Sequence, residues 1–129
     1  MNIFNLRTRI PEFFRGEWKG DDYHVLIFDK SIKVYKTKQL ILDHPMIKKK
    51  EYDDIQIHTT GIYNNKHYYL QIDYTDEKTL NMFFSLSEKE LPYTFLFVIN
   101  SILRVNKIDS SGTEGENCHY IFQRLDRVQ

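Results

Sequence analysis

The side chains that could do chemistry in this chain are five histidines, one cysteine and several neighbouring carboxylates. No histidines have the spacing of an H-x-H, H-x-x-x-H or H-E-x-x-H motif, so a metal site has no local support. We expect every histidine at the surface or at a strand end. They are His24, His44, His58, His67 and His119. The sequence therefore predicts no metal site.

A thiol–base pair would need Cys118 and His119 to face one another. Adjacent residues of a strand point to opposite faces, so we expect an unreactive cysteine. Two pairs of neighbouring carboxylates lie in charge-rich, turn-like stretches, and we expect them at the surface. They are Asp53 with Asp54, and Glu88 with Glu90. No nucleophile elbow, phosphate-binding loop or dinucleotide fingerprint occurs. We therefore predict no catalytic residue, no cofactor and no enzymatic activity.

The charge of the chain is balanced, with 18 basic and 18 acidic residues. There is no overall positive field to attract nucleic acid or anionic lipid. The basic run at 48–50 is followed by Glu51, Asp53 and Asp54, which predicts a solvated loop whose charges compensate one another. Nucleic acid is thus not an expected partner.

The chain has one cysteine, which excludes an intrachain disulfide. Its N-terminus has no apolar signal region, and no apolar run reaches the roughly 18 residues of a membrane span. We expect a cytoplasmic protein. Its 129 residues predict a single domain over 1–129, with an N-terminal segment 1–14 and a barrel over 15–127.

Alternating apolar and polar residues predict strands through most of the chain. Runs at 23–29 and 31–36 flank a turn at Asp29-Lys30, a further run covers 52–59, and Asn64-Asn65 is a hairpin turn. Another turn is expected at 75–78, and the last strand at 118–125. About eight strands in sequence predict an all-β antiparallel meander that closes into a barrel.

The segment 91–105 fits both periodicities. Ser87 and Glu90 form a capping-box pattern that would begin a short helix around 88–104. Aromatic and β-branched residues, with a turn at Asn100-Ser101, favour two short strands. A terminal helix would suit a pleckstrin-homology-like domain, which remains an alternative, although a strand at 118–125 fits that fold less well.

Gly16, Trp18 and Arg124 resemble the signature of the lipocalins and the wider calycin group. The motif is G-x-W before the strands, with an arginine in "YIFQR" on the last strand. The resemblance implies that the tryptophan closes the barrel floor and the arginine packs across its indole. A guanidinium on an indole contributes about 0.5–2 kcal/mol. The chain is shorter than typical lipocalins, and it has no export signal or disulfide.

The stretch "SGTEG" before the last strand is similar in outline to the inhibitory loop of the staphostatins, which are small inhibitors of bacterial cysteine proteases. By that resemblance the loop 110–116 would enter a protease cleft. Glu114 and Glu116 depart from the family's continuation after the threonine. The residues that would contact a protein partner are Ser111, Gly112, Thr113 and Glu114.

The leading functional expectation is non-enzymatic binding of a small hydrophobic or amphipathic ligand inside the barrel. The alternative is a protein-interaction module acting through 110–116. The predicted lining residues alternate along the central strands. They are Ile55, Ile57, Tyr68, Leu70, Ile72, Leu80, Met82 and Phe84. A filled core is the competing interpretation of the same residues, and the oligomeric state stays open.

Overall fold

A computed structural model describes residues 9–90, 101, 110–114 and 118–129. Within these residues the chain forms nine strands and two short 3₁₀ turns. The turns are Glu12–Phe14 and Lys49–Glu51. The strands are β1 (Gly16–Lys19), β2 (Tyr23–Ile27), β3 (Ile32–Lys36), β4 (Gln39–His44), β5 (Gln56–Tyr63), β6 (Lys66–Asp76), β7 (Thr79–Ser87), β8 (Ser110–Glu114) and β9 (Cys118–Arg127).

Every strand pairing is antiparallel, in the order β4-β3-β2-β1-β9-β7-β6-β5, and β8 pairs with β9 beside this path. The last strand therefore lies between β1 and β7 and joins the two halves of the sheet. The sheet curls into a nearly closed barrel, which confirms the predicted all-β meander. Among the described residues no backbone ladder joins β4 to β5, so the barrel has a seam between these two strands.

Two of the hairpins are tight because paired residues adopt positive φ. Asn64 and Asn65 have φ of 51° and 64°, as the sequence predicted for a two-residue turn. Thr37 and Lys38 do the same at the β3–β4 turn, with φ of 48° and 68°. Such turns match the twist of the flanking strands and fix their register.

The core lies inside the barrel and is continuous from the N-terminal 3₁₀ turn to β9. Ile10 and Phe14 enter it from outside the sheet, and Trp18 belongs to it with no exposed surface. Along β6 and β7 the outward residues are buried too, including Tyr69 and Phe83.

Several predicted boundaries need correction. β1 and β4 were not among the predicted strands. Residues 110–114, predicted as part of a flexible loop, form β8. The strand predicted over 52–59 begins at Gln56, because the Asp53 carboxylate accepts hydrogen bonds from the amides of Ile55 (2.8 Å) and Gln56 (2.9 Å) and turns the chain there. Most of the ambiguous segment around 88–104 lies outside the described residues.

Candidate functional site

One end of the barrel is closed by a plug built from the N-terminal 3₁₀ turn, Trp18 and Arg127. The indole donates a hydrogen bond to the carbonyl of Phe14 (2.9 Å). The Arg127 guanidinium lies 4.1 Å from the centre of the indole and donates to the carbonyls of Arg15 (2.8 Å) and Phe13 (2.9 Å). A third bond runs to the carbonyl of Glu77 (2.8 Å). One side chain thus fastens the plug to the sheet.

The arginine that packs on the indole is Arg127, whereas the sequence comparison had chosen Arg124. Arg127 is the direct cross-strand partner of Trp18. Arg124 stands on the opposite face of β9, with 64% of its side chain exposed and its Nε 3.6 Å from Asp126. Residues three positions apart on a strand lie on opposite faces. Arg124 therefore faces away from the indole that Arg127 contacts. Gly16 has φ of +126°, and a Cβ there would lie 2.8 Å from the Arg127 guanidinium.

Seven of the eight predicted lining residues do face the interior and belong to one core cluster. Five of them have no exposed surface, so not even a water-sized space adjoins their side chains: Ile57, Leu70, Ile72, Leu80 and Met82. Tyr68 and Phe84 are nearly as buried. These side chains pack against one another as in an ordinary protein interior.

Ile55 is the exception among the predicted lining residues, since 67% of its surface is exposed. It precedes β5 and belongs to the turn made by Asp53, so the alternation of the strand does not extend to it. Its place beside Ile57 in the predicted cavity wall was wrong.

A cluster of four polar side chains bridges the seam between β4 and β5. His44 ends β4, Glu51 ends the second 3₁₀ turn, and Thr59 and Tyr68 lie on β5 and β6. The His44 Nδ1 is 2.6 Å from the Tyr68 hydroxyl, and its Nε2 is 3.1 Å from the Thr59 hydroxyl and 3.3 Å from Glu51 Oε1. The Thr59 hydroxyl donates to Glu51 Oε2. We call these four residues the seam cluster.

The electrostatics of the seam cluster keep Glu51 ionised and Tyr68 neutral. Burial alone would raise the pKa of Glu51, but hydrogen bonds from Thr59 and from the Lys48 amide (2.8 Å), together with His44, hold it below its usual value. Burial, followed by the charges of Glu51 and Asp43, raises the pKa of Tyr68 to about 12. Burial lowers the pKa of the neighbouring His58.

The polar side chains of the seam cluster hydrogen-bond to one another at the seam, where no backbone ladder joins β4 to β5 among the described residues. Glu51 and Thr59 both present oxygens to His44 Nε2, and the Tyr68 hydroxyl lies at Nδ1, so both ring nitrogens have a polar partner. A buried polar group without a partner would be costly. The arrangement therefore stabilises the seam through side chains instead of a strand ladder.

Sequence reasoning did not find the seam cluster. His44 was correctly placed at a strand end, but it is buried, and Glu51 was assigned to a solvated loop. The spacing of Leu42 and His44 on one face of β4 was the available signal for the histidine. Nothing in the local sequence shows that Glu51 turns inward.

An open groove of about 690 Å³ lies on the outer face of β1–β3. Its floor contains Leu26 and Tyr35, and Val128 lies along one side. The turns at 20–22 and 37–38 form its end, where the Thr37 amide bonds the Asp22 carbonyl (2.9 Å). We call this the outer groove. Successive residues of these strands point to opposite faces of the sheet. Trp18, Val25 and Val34 therefore face the core, and Leu26 and Tyr35 face outward into the groove.

Charged groups surround the apolar floor of the outer groove. Glu17 Oε1 lies 2.6 Å from His24 Nε2, and both side chains are about two-fifths exposed, at 44% and 42%. The His24 ring is 6.4 Å from that of Tyr35. Burial, and then the charge of Asp22, raises the pKa of Tyr23. The groove thus combines apolar and aromatic surface with charged groups around it.

The residues proposed for protein contact, Ser111, Gly112, Thr113 and Glu114, lie in β8 and pair with β9. Gly112 stands opposite Tyr120, and Thr113 opposite His119. Residues 115 and 116 of the predicted loop lie outside the described residues. The partner-binding role of this segment stays a prediction.

In the part of the chain that the structure describes, no three His, Cys, Asp or Glu side chains come together as a metal site. The same residues contain no helix with the length and apolar character needed to cross a membrane. Comparison with known proteins gives no relative, since no family model matches the chain and no curated protein or solved structure is significantly similar to it.

Proposed function

We propose that this chain is a non-enzymatic binding protein that holds a small amphipathic ligand in the outer groove. The observation that carries the proposal is the size and make-up of this groove. Its volume of about 690 Å³ lies within the roughly 300–1,000 Å³ usual for small-molecule sites. The sequence placed the ligand inside the barrel, where five of the predicted lining side chains are fully packed.

The composition of the groove supports an amphipathic ligand. Leu26, Val128 and the ring of Tyr35 offer apolar and aromatic contact. Carboxylates and lysine ammonium groups stand around this surface and can bind a polar headgroup. Pockets that combine a mainly apolar wall with a few polar groups are typical of small-molecule binding.

The solvent exposure of the polar groups favours binding over catalysis. Glu17 and His24 form a carboxylate–imidazole pair that could in principle exchange protons. Both are more than one-third exposed, so water screens their interaction. The pair is better suited to orient a ligand.

The plan of the molecule also supports a binding role. A nearly closed antiparallel barrel, G-x-W in its first strand and an arginine on the indole are features that it shares with the lipocalins. In this chain the arginine is Arg127. The resemblance is one of architecture, and it is the basis for proposing ligand binding as the class of function.

Native mass spectrometry tests the proposal. The protein is incubated with a small-molecule extract of its source cells, and its native mass is compared with its denatured mass. We expect an added mass that disappears on denaturation and that is lost in Leu26→Lys and in the milder Val128→Lys. Ile62→Lys is the matched control, because Ile62 is exposed on β5 outside the groove.

Two results would contradict the proposal. One is an unmodified native mass in every preparation. The other is an added mass that Leu26→Lys and Val128→Lys retain as fully as Ile62→Lys does, which would place the ligand elsewhere. Far-ultraviolet circular dichroism of each variant confirms that a lost mass does not reflect unfolding.

A further inference from the structure

We propose that the ligand of the outer groove is an amphipathic cation, with an ammonium or amidinium headgroup next to an aromatic or aliphatic body. This inference rests on the proposed function and adds the chemical class of the ligand. It comes from the arrangement of carboxylates and aromatic rings around the groove.

Three residues with carboxylates line the groove from two elements. Glu17 projects from β1, and Asp21 and Asp22 lie in the turn that follows it. The Glu17 carboxylate already holds a nitrogen, His24 Nε2, at 2.6 Å. An ammonium group of a ligand can take the same place or share the second oxygen, since a carboxylate accepts several hydrogen bonds.

The aromatic rings of the groove also favour a cation. The faces of tyrosine rings carry a negative quadrupole that attracts cations and repels anions. Tyr23 shows this preference within the protein, because the Lys36 ammonium lies 5.8 Å from the centre of its ring. Tyr35 lies on the outer face opposite His24, and its ring is the one that lines the groove.

Two lysines also line the groove, and their positive charges repel a cationic headgroup. Lys19 stands directly across from Asp126 on β9, which offers it a carboxylate. Lys38 lies in the exposed turn at 37–38, and its flexible stem lets the ammonium group move into solvent. Three carboxylates and the ring of Tyr35 therefore line the groove together with two ammonium groups.

The basic residues beside the groove do not reverse this balance. A smaller cavity of about 350 Å³ adjoins it through Lys19 and Asp21 and includes Arg124 and Arg127. The Arg127 guanidinium is committed to three carbonyls and the indole. Arg124 lies 3.6 Å from Asp126. Neither arginine is directed to a headgroup in the outer groove.

Three probes of one shape and different charge test the inference: 4-phenylbutylammonium, 4-phenylbutyrate and 4-phenylbutan-1-ol. Each is titrated into the ¹⁵N-labelled protein at low salt, and dissociation constants are taken from amide shifts. We expect the ammonium probe to bind about threefold to fivefold more tightly than the other two, which is the size of one exposed ion pair. Glu17→Gln should remove most of this preference.

Glu12→Gln is the matched control, since Glu12 is an acidic residue of the N-terminal 3₁₀ turn outside the groove. It should keep the preference. Equal or tighter binding of the anion or the alcohol would overturn the inference and leave the proposed function standing. Failure of all three probes to bind would overturn both. A preference that survives in Glu17→Gln combined with Asp22→Asn would also contradict the inference.

Discussion

The Nδ1 of His44 lies 2.6 Å from the hydroxyl of Tyr68, and this bond joins β4 to β6 across the seam of the barrel. Between them stands β5, which has no backbone ladder to β4 among the described residues. The closure of the barrel at this point therefore depends on side chains. Most of the predictions below follow from this arrangement.

Tyr68→Phe should destabilise the protein by about 1–3 kcal/mol, because it leaves the buried Nδ1 of His44 without its partner. Chemical denaturation at neutral pH measures the change. Tyr63→Phe, at a half-buried tyrosine of β5, is the control, with an expected change within about 0.5 kcal/mol. Equal effects of the two substitutions would show that the Tyr68 hydroxyl contributes nothing particular to the seam.

Gly61 should be sensitive to substitution only while Tyr68 is present. The two residues are cross-strand partners, and a Cβ on Gly61 would lie 2.6 Å from Tyr68 Cζ. The ring cannot move away without breaking its bond to His44. We expect Gly61→Ala to cost about 1–3 kcal/mol in the wild-type protein and less than about 1 kcal/mol beside Tyr68→Ala.

Denaturation of the four proteins of this double-mutant cycle measures the coupling between the two sites. Additive effects would mean that the Tyr68 ring is not what excludes a side chain from position 61.

Glu51 should make the stability depend on pH in the acid range. Its pKa is lower in the folded protein than in the unfolded chain, so its stabilising effect is fully present above the unfolded value and is lost as the pH falls through the folded one. Glu51→Gln should therefore destabilise the protein at pH 7, and the difference from wild type should shrink below about pH 4.

Denaturation curves of wild type and Glu51→Gln between pH 3 and 8 give this difference directly. The exposed Glu12→Gln serves as the control and should follow the wild-type curve. A difference that stays constant over the whole range would contradict an ionised Glu51 in the seam cluster.

Arg127→Ala should cost about 3 kcal/mol, since it removes bonds to three carbonyls and the contact with the indole. Arg124→Ala, on the other face of the same strand, should change the stability by less than about 0.5 kcal/mol. Thermal denaturation followed through the emission of Trp18 compares the two. A larger effect at position 124 would restore the assignment made from the sequence.

The all-β meander, the turn at Asn64-Asn65 and seven of the eight interior residues could be predicted from the sequence, because alternation and turn chemistry are local. Arg127 was missed by three residues, since a motif does not give the register between β1 and β9. Ile55 was misplaced because the hydrogen bonds of the Asp53 carboxylate delay the start of β5 to Gln56, one residue after Ile55.

The candidate sites depend on long-range geometry and were largely beyond the sequence. The seam cluster combines residues from four elements, and Glu51 turns inward within a run of charged residues. The outer groove needs the curvature of β1–β3 and the approach of two turns. Nothing in the spacing of Glu17, His24 and Tyr35 shows that they share one surface until the register of these strands is known.

The most direct test of the account is to map where a small amphipathic molecule contacts the protein. In a ¹H–¹⁵N titration with 4-phenylbutylammonium, we predict the largest amide shifts at 17–26 and 35–38 and at Val128, around the outer groove. The interior amides of Ile57, Leu70 and Met82 should stay nearly unchanged. Largest shifts at those interior positions, or no shifts at saturating probe, would contradict a ligand site on the outer face of the barrel.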